Sequence, residues 1–341
     1  MQHQRLQRAR ERASLTQAEL ADRADVSRQL VSSVEAGRHA PAVDAALRIA
    51  GVLGESVETL FGDPPAPAQS ILGDALRVGD TVVVGRVGDR LCAAPLTSLA
   101  AGDASWAMPD GIVENGDVRL LPGAQATGLV VVGCDPVLGL CESLLGRGGG
   151  ARRLVAVSGS SGAAVAALAG GRAHAALVHG PEGHLAEPPV AARRVHLARW
   201  RVGIGLGARR RVGSLEELLA GRVRLVQREE SAASQQALVR AAGDSVPRAT
   251  LRARGHVDAA RRAAIARCAA VTFEPAAHQH GLGFLPLETH AVELWIDERW
   301  LDHPGAQALM DLLASGTFRE RVRPVGGYDL EGCGSLAGAA R

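Results

Sequence analysis

The chain has 341 residues, of which 47% are hydrophobic and 22% are charged, and its formal net charge is only +2. This length allows two or three domains with a sizeable core, and the small net charge excludes binding of polyanions through bulk charge alone. No apolar run reaches the ~18–20 residues that would span a bilayer, and the N-terminus lacks the apolar region of a secretion signal, so the sequence predicts a globular cytoplasmic protein.

The cysteines and basic residues carry little functional information. Five cysteines occur without a CxxC pair, at Cys92, Cys134, Cys141, Cys268 and Cys333. In a reducing compartment they are expected to be free thiols that pack as small hydrophobic groups. The basic residues are all arginine, in a chain rich in Ala and Gly, which indicates genomic base bias more than selection at single positions.

The composition and the hydrophobic pattern of the sequence divide the chain into five segments. Residues 1–62 have the pattern of short helices, 63–70 form a Pro-rich linker, and 71–124 contain short strands and turns that lead into a first lobe. Residues 125–330 alternate buried Val/Leu-rich strands with amphipathic helices, and 331–341 form a tail. The predicted fold is multidomain, with an all-α helix-turn-helix head and a two-lobed α/β domain.

Two short helices near the N-terminus are marked by their capping residues. Thr16 and Glu19 form a capping box for the first helix. After a short turn, Ser27 caps a second helix, Arg28–Glu35, which Gly37 ends. Its apolar residues face the core, so the polar positions near its N-terminus remain on the outer surface.

The outer face of the second helix has the chemistry of a recognition helix. It presents Arg28, Gln29, Ser32 and Ser33, and Arg suits the O6/N7 edge of guanine while Gln suits the N6/N7 edge of adenine. The pattern therefore predicts double-stranded DNA as a partner. A helical bundle with no nucleic-acid role is the alternative interpretation.

Residues 5–61 resemble the lambda-repressor/Cro-like (XRE-type) helix-turn-helix family, through "LTQAELA", "VSRQLVSSVEAGR" and "ALRIAGVLGESVETLF". The resemblance implies that Gln17, Ser27 and Arg38 lie near phosphates, while Arg28, Gln29 and Ser33 face bases. Asp25 departs from the glycine that the family usually carries in the turn, but Asp tolerates the left-handed conformation. A neutral module of this size should bind DNA weakly as a monomer, so a homodimer on a palindromic operator is expected.

The stretch from Ser158 to Gly162, "SGSSG", follows a predicted strand and begins a helix. Small residues allow a ligand to approach the helix N-terminus, where the macrodipole favours an anion. The hydroxyls of Ser158, Ser160 and Ser161 add hydrogen-bond donors. The stretch matches neither a GxSxG nucleophile elbow nor a P-loop, and an ordinary strand-to-helix turn is the alternative.

A second polar junction follows the predicted strand Val223–Val226. It carries Arg228, Ser231 and Ser234 before and within the next helix. Two such helix starts on separate βα units are expected to face each other across a cleft. His179, at the C-terminal end of its strand, is a further candidate ligand-binding residue, since α/β sheets place ligands there.

Residues ~125–330 resemble the periplasmic-binding-protein-like domain of molybdate-type bacterial regulators. The resemblance rests on "GCDPVLGL", "SGSSGAAVAALAGGRAHAALVHG", "WRVGIGLG", "GLGFLPLE" and "GGYD". It implies two lobes that close like a hinge on a small solute, an oxyanion such as molybdate among the candidates. Glu230 stands where relatives carry small residues, and a carboxylate in the site would repel an oxyanion unless it points to solvent.

Together these features predict a one-component transcription regulator that is not an enzyme and needs no cofactor or metal. One alternative is a metal or redox sensor built from Cys134, Cys141, Cys268 and nearby histidines. A second alternative is an enzyme with an autoregulatory DNA-binding head, although no activated nucleophile, paired carboxylates or cofactor fingerprint supports it.

Overall fold

The computed structural model describes residues 3–62, 66–98, 108–146, 150–207, 212–220, 223–249 and 251–337. The chain forms two compact units, Met1–Ala66 and Pro67–Arg341. Residues 63–65 of the predicted linker and 338–341 of the predicted tail lie outside the described ranges.

The first unit consists of helices, with the bounds α1 His3–Arg12, α2 Gln17–Arg23, α3 Arg28–Glu35, α4 Val43–Leu53 and α5 Val57–Phe61. The predicted capping box of α2 is confirmed, because the Thr16 side chain accepts from the Glu19 backbone and the Glu19 side chain from the Thr16 backbone. Ser27 caps α3 as expected, by accepting from the N–H of Leu30. Asp25 has φ 49°, the left-handed conformation that the turn requires.

Apolar residues from these helices form one small core, which includes Leu6, Leu20, Val31 and Ile49, all fully buried. A polar contact lies beside this core, where Arg10 donates to the nearly buried Glu35 at 2.6 Å. The core orients α3 so that its polar residues face outwards.

The second unit begins with a closed five-stranded barrel of order β1-β3-β2-β4-β5. Its strands are β1 Ala66–Ser70, β2 Thr81–Val87, β3 Arg90–Pro95, β4 Gly111–Glu114 and β5 Asp117–Leu120. Strand β1 lies in the segment assigned to the linker from its prolines. It pairs in parallel with β3, from Ala68 opposite Leu91 to Ser70 opposite Ala93, and this pairing outweighs the low strand propensity of its residues.

An eight-stranded sheet follows, in the order β11-β10-β12-β9-β13-β8-β6-β7. The strands are β6 Leu129–Gly133, β7 Leu154–Ser158, β8 Ala175–Pro181, β9 Ala192–Leu206, β10 Leu225–Arg228, β11 Arg252–Ala253, β12 Ala269–Phe273 and β13 Gly283–Asp297. The helices are α6 Val137–Leu145, α7 Ser161–Ala169, α8 Leu215–Ala220, α9 Ala233–Ala242, α10 His256–Ala266, α11 Glu274–Gln279, α12 Pro304–Ala314 and α13 Gly316–Val322.

Two long antiparallel strands, β9 and β13, join two α/β lobes. They pair along their whole length, from Gly283 opposite Leu206 to Asp297 opposite Ala192. Lobe 1 adds β6, β7 and β8 with α6 and α7, and lobe 2 adds β10, β11 and β12 with α8 to α11. The close approach of the two long strands requires Gly203, because a Cβ there would lie 2.1 Å from the carbonyl oxygen of Leu285.

The barrel packs against lobe 1. Val83 and Cys92 of the barrel share a buried cluster with Val130 and Trp295 of the sheet. Arg153 also forms a bidentate pair with Asp110, at 2.8 and 2.9 Å. Among the described helices, none is long and apolar enough to cross a membrane.

Candidate functional site

The first candidate surface lies around α3 and is called the α3 face. It is concave and lined by Gln17, Ser27, Arg28, Gln29, Leu30, Ser32, Ser33, Arg38 and His39. The structure therefore brings together all seven residues of the first unit that the sequence assigned to DNA. Leu30 and His39 are the two members that were not anticipated.

The members of the α3 face differ in how free their polar groups are. Gln17 donates its amide to Glu35 at 2.6 Å, and Ser33 donates its hydroxyl to the carbonyl of Leu30 at 2.9 Å. Arg28, Gln29 and Arg38 are exposed, and no described residue accepts a hydrogen bond from their side chains. These three side chains are free to meet an external acceptor.

The second candidate site lies where the strand ends of the two lobes meet, and is called the interlobe cleft. In lobe 1 the cleft contains Cys134 after β6, the start of α7, and His179 in β8. In lobe 2 it contains Arg228 at the end of β10 and His256 at the start of α10. The two lobes approach closely, because a Cβ on Gly162 would lie 3.9 Å from the Cβ of Ser231.

Arg228 is 1% exposed and is the principal positive charge of the cleft. Its Nε and Nη2 atoms contact the carboxylate of Glu229 at 3.2 and 3.1 Å. Its Nη1 atom is buried and has no hydrogen-bond partner among the described residues. A buried guanidinium N–H without an acceptor is costly, so this position is suited to a ligand that offers one.

The serines predicted for the cleft have different environments. Ser234 is 1% exposed, and its hydroxyl has no partner among the described residues. Ser161 contacts the backbone of His179, whose N–H lies 3.2 Å from its Oγ. Ser160 caps α7 by accepting from Ala163. The side chain of Ser231 is exposed at the rim.

Ser158 ends β7 and is half-buried, next to these helix starts. Glu230, whose carboxylate would repel an oxyanion if it entered the site, points to solvent. Its side chain is 86% exposed and pairs with Arg252 at 2.8 Å. The acid that does neighbour the site is Glu229, through its contact with Arg228.

Histidines form a network that sequence reasoning did not anticipate. His179 Nδ1 lies 2.7 Å from His290 Nδ1, and His290 Nε2 lies 2.6 Å from Glu288 Oε1. The ring of His256 lies 5.5 Å from that of His179, and neither of its nitrogens has a described partner. Burial holds the pKa of both His179 and His256 well below the usual range, and neighbouring charges and histidines lower it further.

Cys134 and Asp135 directly follow β6. Burial raises the pKa of the Cys134 thiol to about 12. Asp135 lies two residues before α6 and accepts from the N–H of Val137, and it also accepts from Trp200 and Tyr328. All five cysteines are free thiols, which confirms that prediction.

The signal for His256 was present in the sequence. "ARGHVDAA" is another strand-to-helix junction with a polar residue at the helix start. His290 had no such signal, because it lies in the middle of a long strand. It reaches His179 only because β13 lies beside β8 in the sheet.

A helix-turn-helix unit followed by a two-lobed α/β domain defines the class of helix-turn-helix proteins with a binding-protein-like domain. Residues 143–314 match the model of the PBP superfamily domain, and residues 6–60 match a helix-turn-helix model. The chain belongs to the PBP superfamily, and its N-terminal unit is an XRE-type helix-turn-helix domain.

Individual relatives resemble one part of the chain or the other. An uncharacterised HTH-type transcriptional regulator of Methanothermobacter thermautotrophicus is 45% identical over 53 residues, which are 15% of this chain and 77% of that protein. The SinR–SinI complex is 30% identical, with a TM-score of 0.18, and the match covers 18% of this chain and 62% of that one. An ABC-type phosphate transport receptor from Vibrio cholerae is 13% identical, with a TM-score of 0.44, over 59% of this chain and 99% of that one.

Proposed function

We propose that this chain is a one-component transcription regulator of the cytoplasm. Its α3 face binds operator DNA, and its interlobe cleft binds a small solute that changes the affinity for DNA. Arg28, Gln29, Ser32 and Ser33 contact bases, while Gln17, Ser27 and Arg38 contact phosphates. A homodimer on a palindromic operator doubles these contacts and compensates for the small charge of the unit.

The ligand of the cleft is a small oxyanion, with molybdate as one member of that class. The observation that carries this assignment is the buried Arg228, whose Nη1 atom has no described acceptor. Ser234 offers a second unpartnered donor in the first turn of α9, where the helix macrodipole also favours negative charge. An oxyanion would accept from both groups, and the solvent-facing Glu230 would not repel it.

Ligand binding regulates DNA binding by stabilising the closed arrangement of the lobes. A ligand shifts such an equilibrium only by its differential affinity for the two states. Coupling of this kind typically changes the affinity at the second site by about 1–3 kcal/mol. Ser158, Ser160, Ser161, His179 and Ser231 complete the polar lining of the cleft in this proposal.

Calorimetric titration of the full chain with molybdate, sulfate and phosphate tests the proposal. At least one of these anions should bind, and a saturating concentration near 100 times Kd should stabilise the second unit by about 2.7 kcal/mol. Arg228→Gln should abolish the binding. The matched control is Arg254→Gln, which removes an exposed arginine of the same lobe.

Two results would contradict the assignment. One is a full chain that binds none of the three anions, and the other is an Arg228→Gln variant that binds them as the unchanged chain does. A folded Arg228→Gln variant, verified by circular dichroism, excludes loss of binding through unfolding.

A further inference from the structure

Three electron-pair donors of the interlobe cleft converge on one point. The Sγ atom of Cys134 and one ring nitrogen each of His179 and His256 all lie within 4.8 Å of one another. The three residues are 9%, 5% and 1% exposed. Cys134 and His179 belong to lobe 1, and His256 belongs to lobe 2.

The hydrogen bonds of His179 determine which of its nitrogens is free. Glu288 is a carboxylate and can only accept, so His290 donates to it through Nε2–H. The Nδ1 atom of His290 then carries a lone pair and accepts from the Nδ1–H of His179. The Nε2 atom of His179 is left with its lone pair, and no described group donates to it.

His256 is the second electron-pair donor of this group whose hydrogen bonding is unusual. Both of its ring nitrogens are buried, and neither has a hydrogen-bond partner among the described residues. Leaving a buried polar group unpaired is energetically costly. A ligand that accepts an electron pair from one nitrogen removes part of this cost.

The donor types select the class of ligand. Imidazole nitrogens and a cysteine sulfur suit zinc and related borderline metals, whereas magnesium and calcium need oxygen ligands. The carboxylate that follows Cys134 in the chain, that of Asp135, already accepts hydrogen bonds from Val137, Trp200 and Tyr328. The positive charge of the nearby Arg228 opposes a bound cation, and its contact with Glu229 offsets part of this repulsion.

We propose that Cys134, His179 and His256 form a binding site for a divalent transition-metal ion of the zinc class, held between the two lobes. Three protein ligands leave a fourth coordination position for water or for a solute. The Glu288–His290 pair holds His179 in the tautomer that the metal requires, so His290 is a positioning residue. Because the ligands come from both lobes, the bound ion favours their closed arrangement.

This site was one of the alternatives left open by the sequence, but with a different set of residues. Cys141 and Cys268 are buried elsewhere and are not members of the converging group. Only Cys134 of the cysteines named there contributes to the site. The proposal goes beyond oxyanion binding and does not depend on it.

Titration of the chelator-treated full chain with Co²⁺ tests the site, because the absorption spectrum of bound Co²⁺ depends on its ligands. One equivalent should bind and produce a thiolate-to-cobalt charge-transfer band in the near ultraviolet, and Zn²⁺ should displace it. Cys134→Ser should remove the band, and His256→Gln should remove or strongly weaken binding. Cys141→Ser, a change of another buried cysteine in lobe 1, should leave the titration unaltered.

The positioning role of His290 has its own readout. His290→Phe should weaken Co²⁺ binding by about 10–100-fold, while the charge-transfer band of the saturated protein remains. A merely structural role would lower the melting temperature without this separation of affinity and spectrum.

The outcomes separate this site from the oxyanion site. Arg228→Gln should still bind Co²⁺, even though it is expected to lose oxyanions. The metal proposal is overturned if the full chain gives no charge-transfer band, or if binding persists in both Cys134→Ser and His256→Gln. Neither of these two results decides whether the chain binds an oxyanion, so the two proposals can fail independently.

Discussion

The hydroxyl of Tyr328 donates a 2.6 Å hydrogen bond to the carboxylate of Asp135, which lies 193 positions earlier in the chain. The other oxygen of Asp135 accepts from the indole of Trp200 at 3.0 Å. Burial raises the pKa of Asp135, and these hydrogen bonds oppose the rise. The contacts connect the β6–α6 junction, strand β9 and the segment that follows the last helix.

Tyr328→Phe should therefore destabilise the second unit. It removes a buried hydrogen bond to a carboxyl group, and such bonds contribute about 1.5–3 kcal/mol. Urea denaturation of the full chain measures the loss in the free energy of unfolding. Ser335→Ala removes an exposed local hydrogen bond to Gly332 and should cost under about 0.5 kcal/mol. Equal losses for the two variants would show that Asp135 gains nothing from Tyr328.

Because His174 is buried, we expect the stability of lobe 1 to fall in acid. Burial lowers the pKa of His174 to about 4, and its Nδ1 atom accepts from the N–H of Val130 at 2.8 Å. The folded pKa lies below the unfolded value, so this contribution is complete above about pH 6.5 and is lost as the pH falls towards 4. The expected slope is about 1.4 kcal/mol per pH unit within this window.

Denaturation curves between pH 7.5 and 4.5 measure that slope through matched variants. His174→Gln should flatten the dependence on pH by about the contribution of one histidine, whereas His184→Gln, a change of an exposed histidine, should not. Identical slopes in both variants and the unchanged chain would contradict the assignment. The measurements belong in a chelating buffer, so that metal binding does not add its own pH dependence.

The head of the chain was predictable because its signals are local. Thr16, Glu19 and Ser27 each act on backbone groups within three residues, so the sequence contains both partners of every cap. The same holds for the helix starts at Ser160 and near Ser234. The prediction that two such starts face each other agrees with the proximity of Gly162 to Ser231.

The remaining contacts of the cleft depend on the order of the strands. His290 meets His179 across 111 positions because β13 is inserted between β9 and β8, and no local pattern specifies that order. The prediction of a linker where β1 lies was wrong for a related reason. The Pro/Ala-rich sequence of β1 has the composition of a linker, and only its pairing with β3 makes it a strand.

Glu35 supports a prediction about the stability of the helical unit. It accepts from Arg10 and from Gln17, and the side chains of Glu35 and Arg10 are 5% and 12% exposed. Removing one partner of a buried ion pair leaves the other charge uncompensated, so Glu35→Ala should cost about 3–5 kcal/mol.

The exposed pair between Arg12 and Glu55 provides the control for this prediction. Arg12 is 68% exposed, and Glu55→Ala should cost at most about 1 kcal/mol because solvent screens the pair. Urea denaturation, followed by circular dichroism, measures the midpoint of unfolding of both variants. Similar midpoints for the two variants would show that the Arg10–Glu35 contact contributes little.

Arg28 is expected to read one base of the operator. It is exposed at the first position of α3, and no described residue accepts from its guanidinium. A bidentate contact of Arg with guanine contributes about 1–3 kcal/mol of discrimination against other bases. Selection of binding sites from a random DNA library should therefore show that Arg28→Ala loses base preference at one position of each half-site.

Arg12→Ala is the matched control, because it removes the same charge from a position outside the α3 face. Both variants should lose a little affinity through the lost charge, but only Arg28→Ala should change the selected sequence. A contact to phosphate gives a different result, since it weakens binding almost equally at all sequences and lowers the salt dependence. If Arg28→Ala selects the same operator as the unchanged chain, then Arg28 contacts the backbone, and Gln29 becomes the residue of α3 to test for base contacts.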